Sequence, residues 1–187
     1  MSINRYPLAG WLAITTAVLL IPLIIFGFYL EVYSVFSIPV NIMLASLKVI
    51  ILVFSVYILQ VFRLLLHESF KFQKADPVIT LLIIINIIYT IVSLTGHILP
   101  DIKLALGLAN TALWIPFGLF YIVLAYQLFR IQETGPGILK FYAFTILISG
   151  LCLCSVILIP VGLFAVSASH IMLGIIFLRS TDQVEFV

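Results

Sequence analysis

Residues 138–178 read ILKFYAFTILISGLCLCSVILIPVGLFAVSASHIMLGIIFL, with one charge, Lys140, in the whole run. As a single α-helix at 1.5 Å per residue it would stretch roughly 60 Å, about twice the 30 Å hydrocarbon thickness of a bilayer. The run must therefore fold back on itself, and Ile159-Pro160-Val161-Gly162 is the predicted hairpin. Two spanning helices at this end set the pattern for the rest of the chain.

A spanning helix needs about 20 mainly apolar residues. Working back from the final run, six segments qualify: 8–30, 39–65, 77–97, 102–129, 139–158 and 161–178. Asp76 followed by Pro77 gives the third a predicted N-cap and a proline at its first helical position. Asp101 after Pro100 does the same for the fourth. The composition agrees, since the 187 residues are 64% hydrophobic and only 9% charged, with a mean hydropathy of +1.34. Soluble domains carry roughly 25% charged residues. The expected fold is all-α: a single integral membrane domain over 1–187, a polytopic bundle of about six membrane-spanning helices.

Basic residues mark the cytoplasmic side of membrane proteins. With the N-terminus inside, Arg5, Arg63, Lys71, Lys74, Arg130, Lys140 and Arg179 all face the cytoplasm, Lys103 lies outside, and Lys48 falls within a span. Both termini are thus expected in the cytoplasm, and the expected location is the cytoplasmic membrane of a bacterium or archaeon. Gln60-Val-Phe-Arg63, Gln127-Leu-Phe-Arg130 and Ile176-Phe-Leu-Arg179 pair an aromatic with a charge at the inner ends of the even-numbered helices, an interface device. The longest internal loop, His67 to Asp76, alternates Phe70 and Phe72 with Lys71 and Lys74, which suits the membrane surface. The first apolar run is too long for a signal peptide and lacks a small-x-small cleavage site, so no processing is expected. A net charge of +2 without a basic cluster gives no reason to expect nucleic acid as a partner.

The loops leave no room for a separate catalytic or nucleotide-binding domain. Glycine-rich phosphate loops, His-Glu-x-x-His and Gly-x-Ser-x-Gly do not occur. His67, His97 and His170 fall at different depths, acidic residues lie at helix ends and loops, and Cys152 and Cys154 point to different sides of one helix. No catalytic residue, metal set or cofactor is expected, and the chain is not expected to be an enzyme.

Lys48 is the charged side chain that stands within an apolar run, and an intramembrane ionisable residue suggests a functional site. It lies 15 residues from Arg63, roughly 22 Å along a helix, which leaves it about 8 Å beneath the outer edge of the core. That depth permits snorkelling or an ion pair with Glu31. The same depth arithmetic puts Thr15/Thr16, Ser55, Asn86, Asn110, Ser149 and His170 about 12–15 Å into their helices. Transporters bind substrate at that level, although polar residues also join helices. The candidate ligand-binding residues are accordingly Lys48, Asn86, Asn110 and His170. Ala9, Ala13 and Ala17 form an every-fourth-residue ladder for close helix packing, with Gly162, Ala165, Ser169 and Gly174 a less regular counterpart. Pro22 and Pro116 sit deep inside helices one and four, where proline removes a backbone hydrogen bond, and are the expected kinks.

Three functions fit these features. The first is a non-enzymatic membrane protein that acts by helix packing, as a subunit of a membrane complex or as a homo-oligomer. The second is a small-solute transporter or substrate-binding membrane component with a midplane polar site. The third is an oligomeric pore lined by Lys48. Six helices in under 200 residues, with Ala13-x-x-x-Ala17 in the first, resemble the substrate-binding subunits of energy-coupling-factor vitamin transporters. The resemblance implies that this stripe docks on a scaffold subunit. It covers helix count and a two-residue motif, and the polar ligand loops of that family are thin or missing here. Beyond the lipid bilayer, the expected partners are other membrane subunits or further copies of this chain.

Overall fold

The computed structural model describes residues 5–33, 38–98, 103–131, 137–155 and 157–184. They form six α-helices: α1 (Arg5–Tyr33), α2 (Ile38–Phe70), α3 (Asp76–Ile98), α4 (Lys103–Phe129), α5 (Gly137–Cys154) and α6 (Ile159–Val184). All six are long and apolar enough to cross a membrane. Helices satisfy their own backbone hydrogen bonds, so a chain this apolar can present them to lipid. Large side chains such as Trp11, Leu108 and Phe141 point outward, more than 60% exposed, as lipid-facing residues do.

Each helix packs on its neighbours in sequence, and α6 closes the ring on α1. The closure is antiparallel, because Gly10 meets Gly174 and Leu178 while Ala17 accepts a hydrogen bond from Ser167 Oγ at 2.9 Å. Two seams depend on glycine. A Cβ on Gly174 would lie 2.9 Å from the Gly10 carbonyl, and one on Gly118 would lie 2.6 Å from the Gly150 carbonyl. Those distances leave space for hydrogen and nothing larger, so α1–α6 and α4–α5 approach backbone to backbone. Ala9, Ala13 and Ala17 are fully buried within this one chain. The ladder is used inside the bundle, and the docking role implied by the transporter resemblance has no exposed stripe to act through.

The alternation of the helices brings Arg5, Arg63, Lys71, Lys74, Arg130, Lys140 and Arg179 to one end of the bundle, hereafter the basic end. The side chains here are tied together. Asp76 accepts from Arg63 Nη2 at 3.0 Å and meets His67 Nε2 at 2.7 Å. Tyr6 donates to Glu68, and the Arg130 guanidinium lies 4.4 Å over the Tyr126 ring. The chain leaves α2 through Lys71, whose φ of 48° is left-handed, and Phe72 N–H returns to the Leu66 carbonyl. That left-handed residue turns the chain sharply enough for Asp76 to reach back to α2 and open α3.

The reversal between the last two helices differs from the sequence reading. The chain reverses between Cys154, the end of α5, and Ile159, the start of α6, so Ile159-Pro160-Val161-Gly162 belongs to the helix and Pro160 lies in its first turn. A first-turn proline loses no helical hydrogen bond. Ser155 makes the turn instead: its Oγ donates to the Cys152 carbonyl at 2.8 Å and accepts the Leu158 N–H at 3.1 Å. Pro22 and Pro116 lie inside α1 and α4, each of which continues on both sides of its proline. The Asp101 cap lies outside the described residues, as do the side chains of Glu31 and His97.

Candidate functional site: a cavity inside the ring

Packing is uneven along the bundle. Toward the basic end, Phe62, Leu65, Leu66, Ile79, Leu82, Leu124 and Phe177 are at most 1% exposed and fill the ring. Phe62 also sets its ring edge-on to Tyr142, with centroids 5.4 Å apart. Beyond Tyr142, Ile146 and Leu153 stay buried, but the middle of the ring is less filled. A cavity of about 610 Å³ opens there, lined by residues from all six helices. Tyr121, Tyr142 and Leu173 lie at its basic-end limit, while Gly27, Leu44, Gly107 and Pro160 line it toward the opposite end.

One side of the cavity is aliphatic, with Leu20, Leu23 and Ile24 from α1 and Leu44 and Ile51 from α2. Facing these is an aromatic group: Tyr89 of α3 lies 4.7 Å from Trp114 of α4, Trp114 lies 5.6 Å from Phe117, and Phe117 lies 6.3 Å from Tyr121. Their tilted and edge-on arrangement is the favourable one for π systems.

Polar groups are set into these walls. Lys48, Asn86, Asn110 and His170, singled out from four separate helices, all line this one cavity, as does Ser55. Lys48 Nζ donates to Ser93 Oγ at 2.6 Å, across to α3, so its amine reaches to the neighbouring helix. His170 Nδ1 lies 2.9 Å from the Val166 carbonyl. A carbonyl only accepts, so Nδ1 carries a proton, and Nε2 is the ring nitrogen left over. Asn110 Oδ1 is buried and has no hydrogen-bond partner.

The remaining members of the depth-matched set do not join them. Thr15, Thr16 and Ser149 are absent from the cavity lining, and each bonds the carbonyl four residues back in its own helix, at 2.9, 2.8 and 2.8 Å. A hydroxyl can always satisfy itself this way, whereas the side-chain amide of an asparagine and a ring nitrogen remain for something else. Equal depth placed these residues at one level without giving the direction in which each one points.

Several lining residues escaped the sequence reading. Thr90, Ser93, Thr111 and Ser169 are one polar residue each in apolar text. Tyr89, Trp114, Phe117 and Tyr121 look like ordinary membrane aromatics. One signal was present: Asn110, Trp114, Phe117 and Tyr121 follow at helical spacing and so share one face of α4. Cys152 and Cys154 are free thiols, and Cys154 Sγ is directed at the Ile115 carbonyl on α4.

Comparison with known proteins finds no matching family model, no matching curated protein and no matching solved structure. The reading of the cavity rests on its own residues.

Proposed function

We propose that this chain is a non-enzymatic multi-pass membrane protein that binds a small molecule inside its helix bundle, as a small-solute transporter or the substrate-binding component of one. One observation carries the reading: Asn86, Asn110, His170 and Lys48, from four helices, line a single cavity. A volume of about 610 Å³ falls within the roughly 300–1,000 Å³ of small-molecule sites, which are largely apolar with a few placed polar groups. The seven basic residues at one end support placing that end in the cytoplasm. The hollow half then faces the other side of a bacterial or archaeal cytoplasmic membrane, and solute reaches the site from there.

Action purely as a packing subunit has less support, since the alanine ladder that would have served it is covered by the chain's own helices. A pore ringed by Lys48 from several copies has less still, because Lys48 bonds Ser93 within one bundle. The test is a solute screen for thermal stabilisation of the purified protein in nanodiscs. A stabilising solute whose effect disappears in Asn110→Ala or His170→Ala is the expected result. A screen in which no solute acts through these residues would remove the reading.

A further inference from the structure

On α2, Leu44, Lys48, Ile51, Ser55 and Ile58 recur at intervals of three and four residues, and all of them line the cavity. That spacing marks one face of a helix. The residues between them, Val49, Ile50 and Val53, are more than 40% exposed and look outward to lipid. Lys48 therefore rises from the inward face. On α3 the same spacing joins Asn86, Tyr89, Thr90 and Ser93, which also line the cavity. The bond from Lys48 Nζ to Ser93 Oγ thus links two faces that both border the hollow. Ser93 is buried, whereas Lys48 keeps part of its surface exposed.

Charge decides what such a site accepts. Among the described residues the cavity lining holds one Lys or Arg, Lys48, and no Asp or Glu. Asn86 and Asn110 are neutral, and His170 can add only positive charge. Charges interact more strongly between hydrocarbon walls than in water, and a cleft lined by one sign draws the other. An ammonium group carries three N–H donors, so the Ser93 bond and a bond to a guest oxygen are compatible. The walls near Lys48 are aliphatic, with Leu44 and Ile51 one turn away on α2 and Leu20, Leu23 and Ile24 from α1.

We propose that the cavity takes a small monoanion with an apolar body, its carboxylate or equivalent acidic head on Lys48 Nζ and its hydrocarbon against the aliphatic and aromatic walls. This deepens, and rests on, the reading of the cavity as a binding site. One lysine answers one negative charge, and the apolar walls answer the rest of the molecule.

Octanoate, octanol and octylammonium share one chain and differ in the charge of the head. Binding of each is measured at neutral pH by equilibrium dialysis against the protein in phosphatidylcholine nanodiscs, with empty nanodiscs to subtract partition into lipid. Octanoate should bind about tenfold more tightly than octanol, the effect of one charge-assisted hydrogen bond, and octylammonium should bind most weakly. Lys48→Gln should bring octanoate down to the level of octanol and leave octanol unchanged. Lys48→Arg, which keeps the charge, should still rank octanoate above octylammonium. If either variant fails to fold, the ranking in the parent decides. Octanol or octylammonium bound as tightly as octanoate, octanoate binding unchanged in Lys48→Gln, a ranking lost in folded Lys48→Arg, or binding of none of the three overturns the proposal. If none binds while another solute stabilises the protein through Asn110 or His170, only the anion assignment fails. If no solute does, the binding-site reading fails with it.

Discussion

The two halves of this bundle are made of the same residue types and do different things with them. At the basic end, phenylalanine and leucine from α2, α3, α4 and α6 interlock until side chains such as Phe62 and Leu65 have no exposed surface. Toward the opposite end, the helices keep the same ring order, but their inward positions hold Asn86, Asn110, Ser55 and Gly107 around empty space. In lipid, helices gain little from hiding apolar surface and hold together through close packing and polar contacts. The filled half and the two glycine seams therefore carry much of the stability of the fold; the hollow half adds the Lys48–Ser93 bond between α2 and α3, while Asn110 Oδ1 adds no such bond. A buried acceptor such as Asn110 Oδ1 is tolerated because the other half holds the ring closed.

Substitutions can break that contrast in order of expected effect. Phe62→Ala should be the most damaging, by about 3 kcal/mol, the lower end for a core phenylalanine because the unfolded chain returns its side chain to lipid instead of water. Reversible unfolding in mixed micelles measures it, and a loss as small as that of a cavity residue would mean the basic end is not the structural half. Gly118→Ala comes next, at about 2 kcal/mol, since its methyl would meet backbone and cannot be accommodated by a rotamer change. The same melt tests it, and an unchanged transition would show that α4 and α5 do not touch at that seam. Asp76→Asn should lose less than about 1 kcal/mol, because its partners Arg63 and His67 are partly exposed and surface ion pairs contribute little. Asn110→Ala should leave unliganded stability within about 0.5 kcal/mol of the parent while removing solute-dependent stabilisation. A large loss of stability there would make Asn110 a packing residue and erase the difference between the halves.

Much of the fold was legible because hydropathy and length determine whether a helix can span a membrane, and all six spans became helices. The last reversal moved by four residues because Ile159-Pro160 starts a helix as readily as it ends one. Ser155, the residue that closes the turn, resembles any other hydroxyl in membrane text. The site was legible in its level more than in its walls. Depth can be counted from charged anchors, and Asn86, Asn110 and His170, grouped that way, line one cavity, but Thr15, Thr16 and Ser149 share the counted depth and turn to their own backbones. Azimuth could not be read, since these helices are apolar on every side and lack a polar stripe to reveal which face looks inward. The cavity itself is a shortage of side-chain volume summed over six helices, and no single helix shows it. Gly174 stands among the expected packing residues, but its partner Gly10 and the Gly118–Gly150 pair do not, because a glycine becomes informative only when the glycine it faces is known.

The central claim is that polar side chains of equal depth divide into those that face a hollow and those that do not. Single cysteines at Asn110, His170, Thr16 and Ser149, introduced after Cys152→Ala and Cys154→Ala, can be assayed in membranes with a small water-soluble methanethiosulfonate reagent added from the face opposite the basic end. Asn110→Cys and His170→Cys should react readily, while Thr16→Cys and Ser149→Cys, buried to 0% exposure in the parent chain, should stay unmodified. Equal reactivity at all four positions, or none at any, would contradict the account.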